Sequence, residues 1–85
     1  MKTFTYTIKD EAGIHARPAG LLVKEAKKFS SKITLEGKGK QVDATRLIAI
    51  MGLGIKQGTE IIISAEGEDE DVAIAAMEKF LEENL

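Results

Sequence analysis

The chain has 85 residues, no cysteine, a single histidine and a formal net charge of −2. This length predicts one domain over residues 1–85, and the composition excludes disulfides and thiolate chemistry and leaves no expectation of a metal or other cofactor. No apolar run reaches the ~20 residues of a membrane span, and the first residues lack the form of a signal peptide, so we expect a cytoplasmic protein without membrane insertion.

The chain opens with an alternating segment and a polar loop. Residues 3–8 place Phe4, Tyr6 and Ile8 on one face and threonines on the other, which predicts a half-buried strand. The loop over residues 9–13 ends in Gly13, a residue free to adopt unusual dihedral angles, and it leads directly to the histidine.

The only histidine lies where this loop becomes a helix. Pro18 has no N–H and a fixed φ, so it fits a first helical turn, and the helix is predicted to start at about Ala16 with His15 in or near the cap position. The N–H groups of Ala16 and Arg17 then lack intrahelical partners, so residues Ala16, Arg17 and Pro18 form a phosphate-binding helix N-terminus. Arg17 adds a guanidinium fork for phosphate oxygens, and positive potential favours a neutral, nucleophilic imidazole. We therefore predict that His15 carries a phosphoryl group between proteins.

The first helix is predicted to span residues 16–29. Its buried stripe comprises Ala19, Leu22, Val23, Ala26 and Phe29. The other side carries Arg17, Gly20, Leu21, Lys24, Lys27 and Lys28. Leu21 is the odd member there; it is either a stray leucine on a solvated face or part of a partner surface.

A hairpin and a short apolar helix follow. Residues 32–36 and 41–43 are predicted strands joined by a tight turn, with the second at the edge of the sheet. Residues 44–54 are predicted to form a helix that is apolar on all sides except for Arg46. In so small a domain some of Leu47, Ile48 and Met51 should face water or a partner; the alternative is a fully buried helix.

The last third of the chain predicts a central strand and a final helix. Residues 60–65 are rich in β-branched side chains, which suits the middle of a sheet. Four acids, residues 68–71, precede the helix, where the macrodipole favours them, so they need no metal to explain them. The predicted buried stripe is Val72, Ala73, Ala76, Met77, Phe80 and Leu81. The order strand, helix, strand, strand, helix, strand, helix predicts an α+β fold with an antiparallel sheet and helices on one face.

Charges are sorted along the chain. Residues 16–46 contain eight Lys or Arg against three acids, whereas residues 60–85 contain nine acids against one lysine. A basic region can bind nucleic acid, but the net charge is negative and only 5% of the residues are aromatic, few for stacking on bases. We therefore expect an acidic protein surface as partner, and no nucleic acid.

These residues closely resemble the HPr family, the histidine-containing phosphocarriers of the bacterial sugar phosphotransferase system. The similarity covers all 85 residues and is carried by the stretch Gly13-Ile14-His15-Ala16-Arg17-Pro18-Ala19, which is similar to the family's phosphorylation-site motif, and by Ile50-Met51-Gly52-Leu53-Gly54-Ile55, similar to its second signature. It implies an open-faced sandwich, with a four-stranded antiparallel sheet and three helices on one face (βαββαβα). It also implies a phosphoryl group on Nδ1 of His15.

The resemblance implies a carrier and not an enzyme, since partners complete each transfer. In the family, enzyme I, charged from phosphoenolpyruvate, is the donor, and sugar-specific IIA domains are the acceptors. The resemblance further implies that Arg17 binds the phosphoryl group and that the protein is a monomer. The positions that match family docking sites are Gly20, Leu21, Lys24, Lys27, Leu47, Ile48 and Met51.

One position departs from the family pattern. Many relatives carry a serine at the start of the second helix, which a dedicated kinase phosphorylates in many Gram-positive members to regulate carbon use. Arg46 occupies that position here, and arginine is not a substrate for this chemistry, so regulatory serine phosphorylation is not expected. We predict instead that Arg46 adds to the attraction for acidic partners.

Two other classes of function fit the residues less well. A non-catalytic α+β module that binds RNA or a metal would need stacking aromatics on its sheet or a Cys-x-x-Cys loop, and neither is present. A regulatory paralogue that signals only through serine phosphorylation would not combine His15 with Arg46. A lone histidine is more often structural than chemical, and it is the surrounding motif that favours phosphoryl transfer.

Overall fold

The computed structural model describes all of residues 1–85 and contains four strands and three helices in the predicted order. The elements are β1 (Lys2–Thr7), α1 (Ala16–Ala26), β2 (Lys32–Gly37), β3 (Lys40–Asp43), α2 (Leu47–Gly52), β4 (Glu60–Glu66) and α3 (Glu70–Asn84).

The four strands form one antiparallel sheet in the order β1-β4-β2-β3. The β-branched strand β4 is central, as predicted, because it pairs with β1 on one side and with β2 on the other. The short strand β3 is at the edge, also as predicted. It follows β2 through a two-residue turn in which Lys38 and Gly39 both have positive φ, 55° and 81°, the backbone geometry that matches the twist of a hairpin.

All three helices lie on one face of the sheet, so the predicted open-faced α+β sandwich is confirmed. Helix α3 packs on β1 and β4, and α1 packs against both α3 and α2. The core between the layers includes the fully buried side chains Leu22, Ile33, Leu35, Ile61, Ile63, Met77 and Leu81. Helices α1 and α3 therefore share one hydrophobic core, and this packing fixes their ends relative to each other.

Helix α2 is shorter than the predicted span of residues 44–54. The carboxylate of Asp43 accepts hydrogen bonds from the amide and the hydroxyl of Thr45, at 2.8 and 2.6 Å. This local turn competes with helix formation, so the helix begins only at Leu47. Within the helix only Ile50 is buried. The alternative of a fully buried helix is therefore wrong.

Two other boundaries differ from the prediction. Helix α1 ends at Ala26, and Phe29, predicted on its stripe, packs half-buried against the core from the following turn. In α3 the buried residues are Ala73, Met77, Phe80 and Leu81, whereas Val72 is 64% exposed and Ala76 only half-buried. Each lies one position before a buried residue and is thus rotated by ~100° away from the sheet. Assigning Val72 to the core was wrong.

Candidate functional site: an uncapped helix start beside the only histidine

His15 occupies the cap position of α1, as predicted. Its backbone is extended (φ −95°, ψ −177°), and its carbonyl accepts a hydrogen bond from the amide of Ala19 at 3.0 Å. Its side chain forms no capping hydrogen bond and is exposed. The preceding residue, Ile14, is buried and its amide donates to the carbonyl of Ile55 at 3.1 Å. The backbone is thus anchored while the imidazole faces solvent.

The free amides in the first turn of α1 have neither a hydrogen-bond acceptor within the chain nor an acidic side chain beside them in that turn. The N–H groups of Ala16 and Arg17 donate to no acceptor in the chain, and Pro18 has no N–H to donate. The first turn also contains no acidic residue. The partial positive charge of the helix N-terminus therefore remains available to an anion beside the imidazole.

An open depression of about 230 Å³ adjoins the imidazole. It is lined by Asp10, His15, Arg17, Pro18, Leu21, Glu83 and Asn84. The structure thus brings His15 together with Arg17 and Pro18. It also brings in Asp10, Glu83 and Asn84, which sequence reasoning did not include. No local pattern could have shown this, because two of these residues come from the far end of the chain.

Hydrogen bonds join the loop before His15 to the end of α3. The main-chain oxygen of Leu85 accepts from the amides of Lys9 and Asp10, at 2.6 and 2.8 Å. The carboxylate of Asp10 accepts from the amide of Ala12 at 2.8 Å, which fixes the loop locally. The side-chain amide of Asn84 donates to the carbonyl of Phe80 at 2.9 Å. The two hydrogen bonds to Leu85 therefore join the two sides of the depression.

Helices α1 and α2, which pack against each other, both expose apolar and basic side chains. Leu21, Leu47, Ile48 and Met51 are 41%, 37%, 81% and 40% exposed. The exposure predicted for the apolar α2 residues is thereby confirmed. The cations Lys24, Lys27 and Arg46 are exposed on the same two elements. A Cβ atom built on Gly20 would meet no atom within 4 Å, so packing within the chain does not require this glycine.

The carboxyl groups with perturbed pKa values all lie outside this site. The hydroxyl of Thr45 lowers the pKa of Asp43, and the hydroxyl of Ser31 lowers the pKa of Asp69. The amide of Gly67 lowers the pKa of Glu70. Each shift comes from a hydrogen bond that fixes a turn or a connection, so these groups are structural.

Neither a metal centre nor a membrane span emerges from the arrangement of the side chains. No group of three or more His, Asp or Glu side chains is placed to hold a metal ion. None of the three helices is both long and apolar enough to cross a bilayer.

The fold and the site together define a small α+β domain that presents an exposed imidazole beside a helix start with free amides. The family model for the PTS HPr component phosphorylation site matches residues 2–83. A phosphocarrier protein HPr of Mycoplasma capricolum is 47% identical over 79 residues, covering 93% of this chain and 89% of the relative.

Solved structures agree. The histidine-containing phosphocarrier protein of a Mycoplasma has a TM-score of 0.93 at 44% identity, covering 96% of this chain and 93% of its own. An HPr dimer from Thermoanaerobacter tengcongensis has a TM-score of 0.77 at 47% identity, covering 98% and 95%. The chain belongs to the HPr family, the phosphocarriers of the phosphotransferase system. It is accordingly a carrier and not an enzyme.

Proposed function

We propose that His15 accepts a phosphoryl group from enzyme I, with phosphoenolpyruvate as the ultimate donor, and passes it to sugar-specific IIA domains during sugar uptake. The observation that carries this proposal is the exposed imidazole beside the amides of Ala16 and Arg17, which have no acceptor within the chain. Family membership supports the same reaction.

The chemistry divides between this chain and its partners. A lone pair on Nδ1 of His15 forms the bond to phosphorus while the bond from phosphorus to the donor atom breaks and its electrons return to the donor. The guanidinium of Arg17 and the free amides at the start of α1 hold the phosphoryl oxygens. Pro18 contributes by fixing the helical backbone without adding an N–H group. The partner supplies the rest of the active site.

The partner-binding part of the proposal is a surface on α1 and α2 that we call the docking surface. Its residues are Gly20, Leu21, Lys24, Lys27, Arg46, Leu47, Ile48 and Met51. Exposed apolar side chains at the centre of such a patch bury area on binding, and the lysines and Arg46 steer an acidic partner towards it. The bare Gly20 leaves space for close approach of the partner's backbone.

A labelling experiment tests the relay. The purified chain is incubated with enzyme I and ³²P-labelled phosphoenolpyruvate, and acid-labile phosphate on it is measured. We expect label on the unmodified chain and none on His15→Ala. Equal labelling of both would refute the assignment of His15.

Arg17→Gln tests the role of the guanidinium in the same assay. Transfer should slow by roughly 10- to 100-fold because a charge-assisted contact to the phosphoryl group is lost. Stability should change by less than about 0.5 kcal/mol, since Arg17 is exposed. Equal loss of folding and transfer would contradict this role, and Lys40→Gln, on the distant edge strand, is the matched control.

Four further expectations belong to this proposal. Arg46 offers no hydroxyl, so regulatory serine phosphorylation at that position is absent. Residues 1–85 act as one domain, as a monomer in the cytoplasm. Because a relative forms an HPr dimer, the oligomeric state is tested by analytical ultracentrifugation across a range of concentrations.

A further inference from the structure

The depression beside His15 contains two carboxylates that the proposed relay does not require. Asp10 and Glu83 both line it, and Arg17 is the only cationic side chain among the lining residues. An anion-binding site with more carboxylates than cations is unexpected. A phosphoryl group on the imidazole would add further negative charge to the same space.

Neither carboxylate is neutralised by a neighbour within the chain. The three ion pairs of the structure involve Met1 with Glu70, Lys2 with Asp71, and Lys28 with Glu25. The ammonium of Lys9 lies 6.0 Å from the centre of the Tyr6 ring and forms no ion pair with Asp10. The only hydrogen bond to the Asp10 carboxylate comes from the amide of Ala12. Both negative charges are therefore free to act on a phosphoryl group.

Main-chain hydrogen bonds join the two segments that carry Asp10 and Glu83. The amides of Lys9 and Asp10 donate to Leu85, which ties the Asp10 loop to the last turn of α3, where Glu83 lies. The two segments cannot separate without breaking these bonds. Both negative charges therefore stay close to the depression and repel an anion bound there.

We propose that Asp10 and Glu83 raise the phosphoryl-transfer potential of His15. This rests on the function proposed above, in which the N–P bond forms on Nδ1 as the donor's bond to phosphorus breaks, and the reverse occurs on delivery. Arg17 and the helix start stabilise the phosphorylated carrier, whereas the two carboxylates destabilise it. The balance keeps the phosphoryl group bound loosely enough to be given up to an acceptor. Both residues act through charge and touch no reacting atom.

The test compares two single variants, the double variant that combines them and a control by their equilibrium constant for phosphoryl transfer from phosphorylated enzyme I. Glu83→Gln removes one charge, and Asp10→Asn removes the other while keeping an oxygen that accepts from the Ala12 amide. Glu82→Gln is the matched control, because Glu82 directly precedes Glu83 in α3, is exposed and does not line the depression. An equilibrium constant does not depend on how the partners dock, so effects on docking do not enter.

We expect each of the two substitutions to raise the equilibrium constant by about threefold at low salt and the pair by about tenfold, with the gain shrinking as salt screens the charges. Glu82→Gln should change it by less than about 1.5-fold. The midpoint of thermal unfolding should remain unchanged for Glu83→Gln.

Unchanged equilibrium constants in both variants, or an equal rise for Glu82→Gln, would overturn this inference and leave the relay proposal standing. Absence of label on His15 in the unmodified chain would instead overturn the relay proposal itself. The two failures are thus distinguished by the same set of reactions.

Discussion

The helix starts of this small protein are of two kinds. None of the three cap residues forms a capping hydrogen bond with its side chain, and the first turns of α1 and α2, which follow His15 and Arg46, contain no acid. Helix α3 carries Glu70 and Asp71 in its first turn. The carboxylate of Glu70 also accepts from the amide of Gly67 at 3.1 Å. The negative charges that suit a helix dipole are therefore present on only one of the three helices.

The start of α3 serves the fold instead of a ligand. The carboxylate of Asp69 accepts from the amides of Ser30 and Ser31, both at 2.9 Å, and from the hydroxyl of Ser31. It thereby fixes the connection between α1 and β2 to the beginning of α3. Helices α1 and α3 run in opposite directions, so this structural contact lies at one end of the pair and His15 at the other.

Contacts that stabilise the fold and the proposed binding site therefore lie at different helix starts. An acid in the first turn stabilises a helix by roughly 0.3–1 kcal/mol, and α1 and α2 do without one. The same absence leaves positive potential at the starts of two helices that pack against each other and expose apolar side chains. The chain therefore gives up local stability where we propose that an anion and partners bind, and gains it at the opposite end.

The largest effect on stability and phosphorylation is expected from a substitution in the loop that holds the start of α1. Gly13 has a φ of +71°, and a Cβ atom there would collide with the main chain of Ile55 and Lys56. Gly13→Ala should lower the free energy of unfolding by about 3 kcal/mol, combining left-handed strain with a steric clash. It should also slow phosphorylation of His15, because the imidazole moves relative to the helix amides. Chemical denaturation and the labelling assay measure the two effects.

Gly39→Ala is the matched control for this substitution. Gly39 has a similar φ of +81°, but its Cβ position is open. Only the backbone strain, about 1 kcal/mol, should appear, without an effect on phosphorylation. If both variants lost the same stability, the clash with residues 55 and 56 would not be what fixes the His15 loop.

The contact of Asp69 at the start of α3 should make the stability of the fold depend on pH. Hydrogen bonds, led by that of the Ser31 hydroxyl, lower the pKa of Asp69 in the folded protein. A lowered pKa contributes stability that is present above the ordinary aspartate pKa of ~3.9 and lost as the pH falls through the lower folded value. Asp69→Asn should therefore lower the unfolding temperature by a few degrees at pH 7. Below about pH 4 the difference from the unmodified chain should shrink.

Thermal unfolding followed by circular dichroism at several pH values measures this difference. Phosphorylation of His15 at pH 7 and a temperature well below the transition should be unaffected, since Asp69 lies at the other end of α1. A constant difference between the two chains from pH 7 to pH 3 would contradict the assigned role of the Asp69 carboxylate. Asp71→Asn, which removes an exposed acid without these hydrogen bonds, is the control.

The sequence predicted the order of elements, the central strand and the start of α1, because these depend on local patterns. The β-branched residues of 60–65 and the fixed φ of Pro18 are examples. It failed where distant parts of the chain decide. Val72 matches a helical stripe by spacing, but the orientation of α3 on the sheet leaves it outside. The carboxylate of Glu83 reaches the His15 depression only through packing of the last turn against the first loop, which no short-range signal encodes.

The smallest effects are expected from a substitution of Arg46, the cap residue of α2. Arg46→Ser places a hydroxyl where it can accept a hydrogen bond from a free amide and removes a cation from a helix N-terminus, so stability should rise by about 0.5–1 kcal/mol. Binding should move the other way, with affinity for an acidic partner such as enzyme I falling about two- to threefold at low salt and converging at high salt. Calorimetric titrations at two salt concentrations measure this. Opposite signs would show that α2 lacks a good cap because its start faces partners. A rise in stability with unchanged affinity would mean that Arg46 has no part in docking.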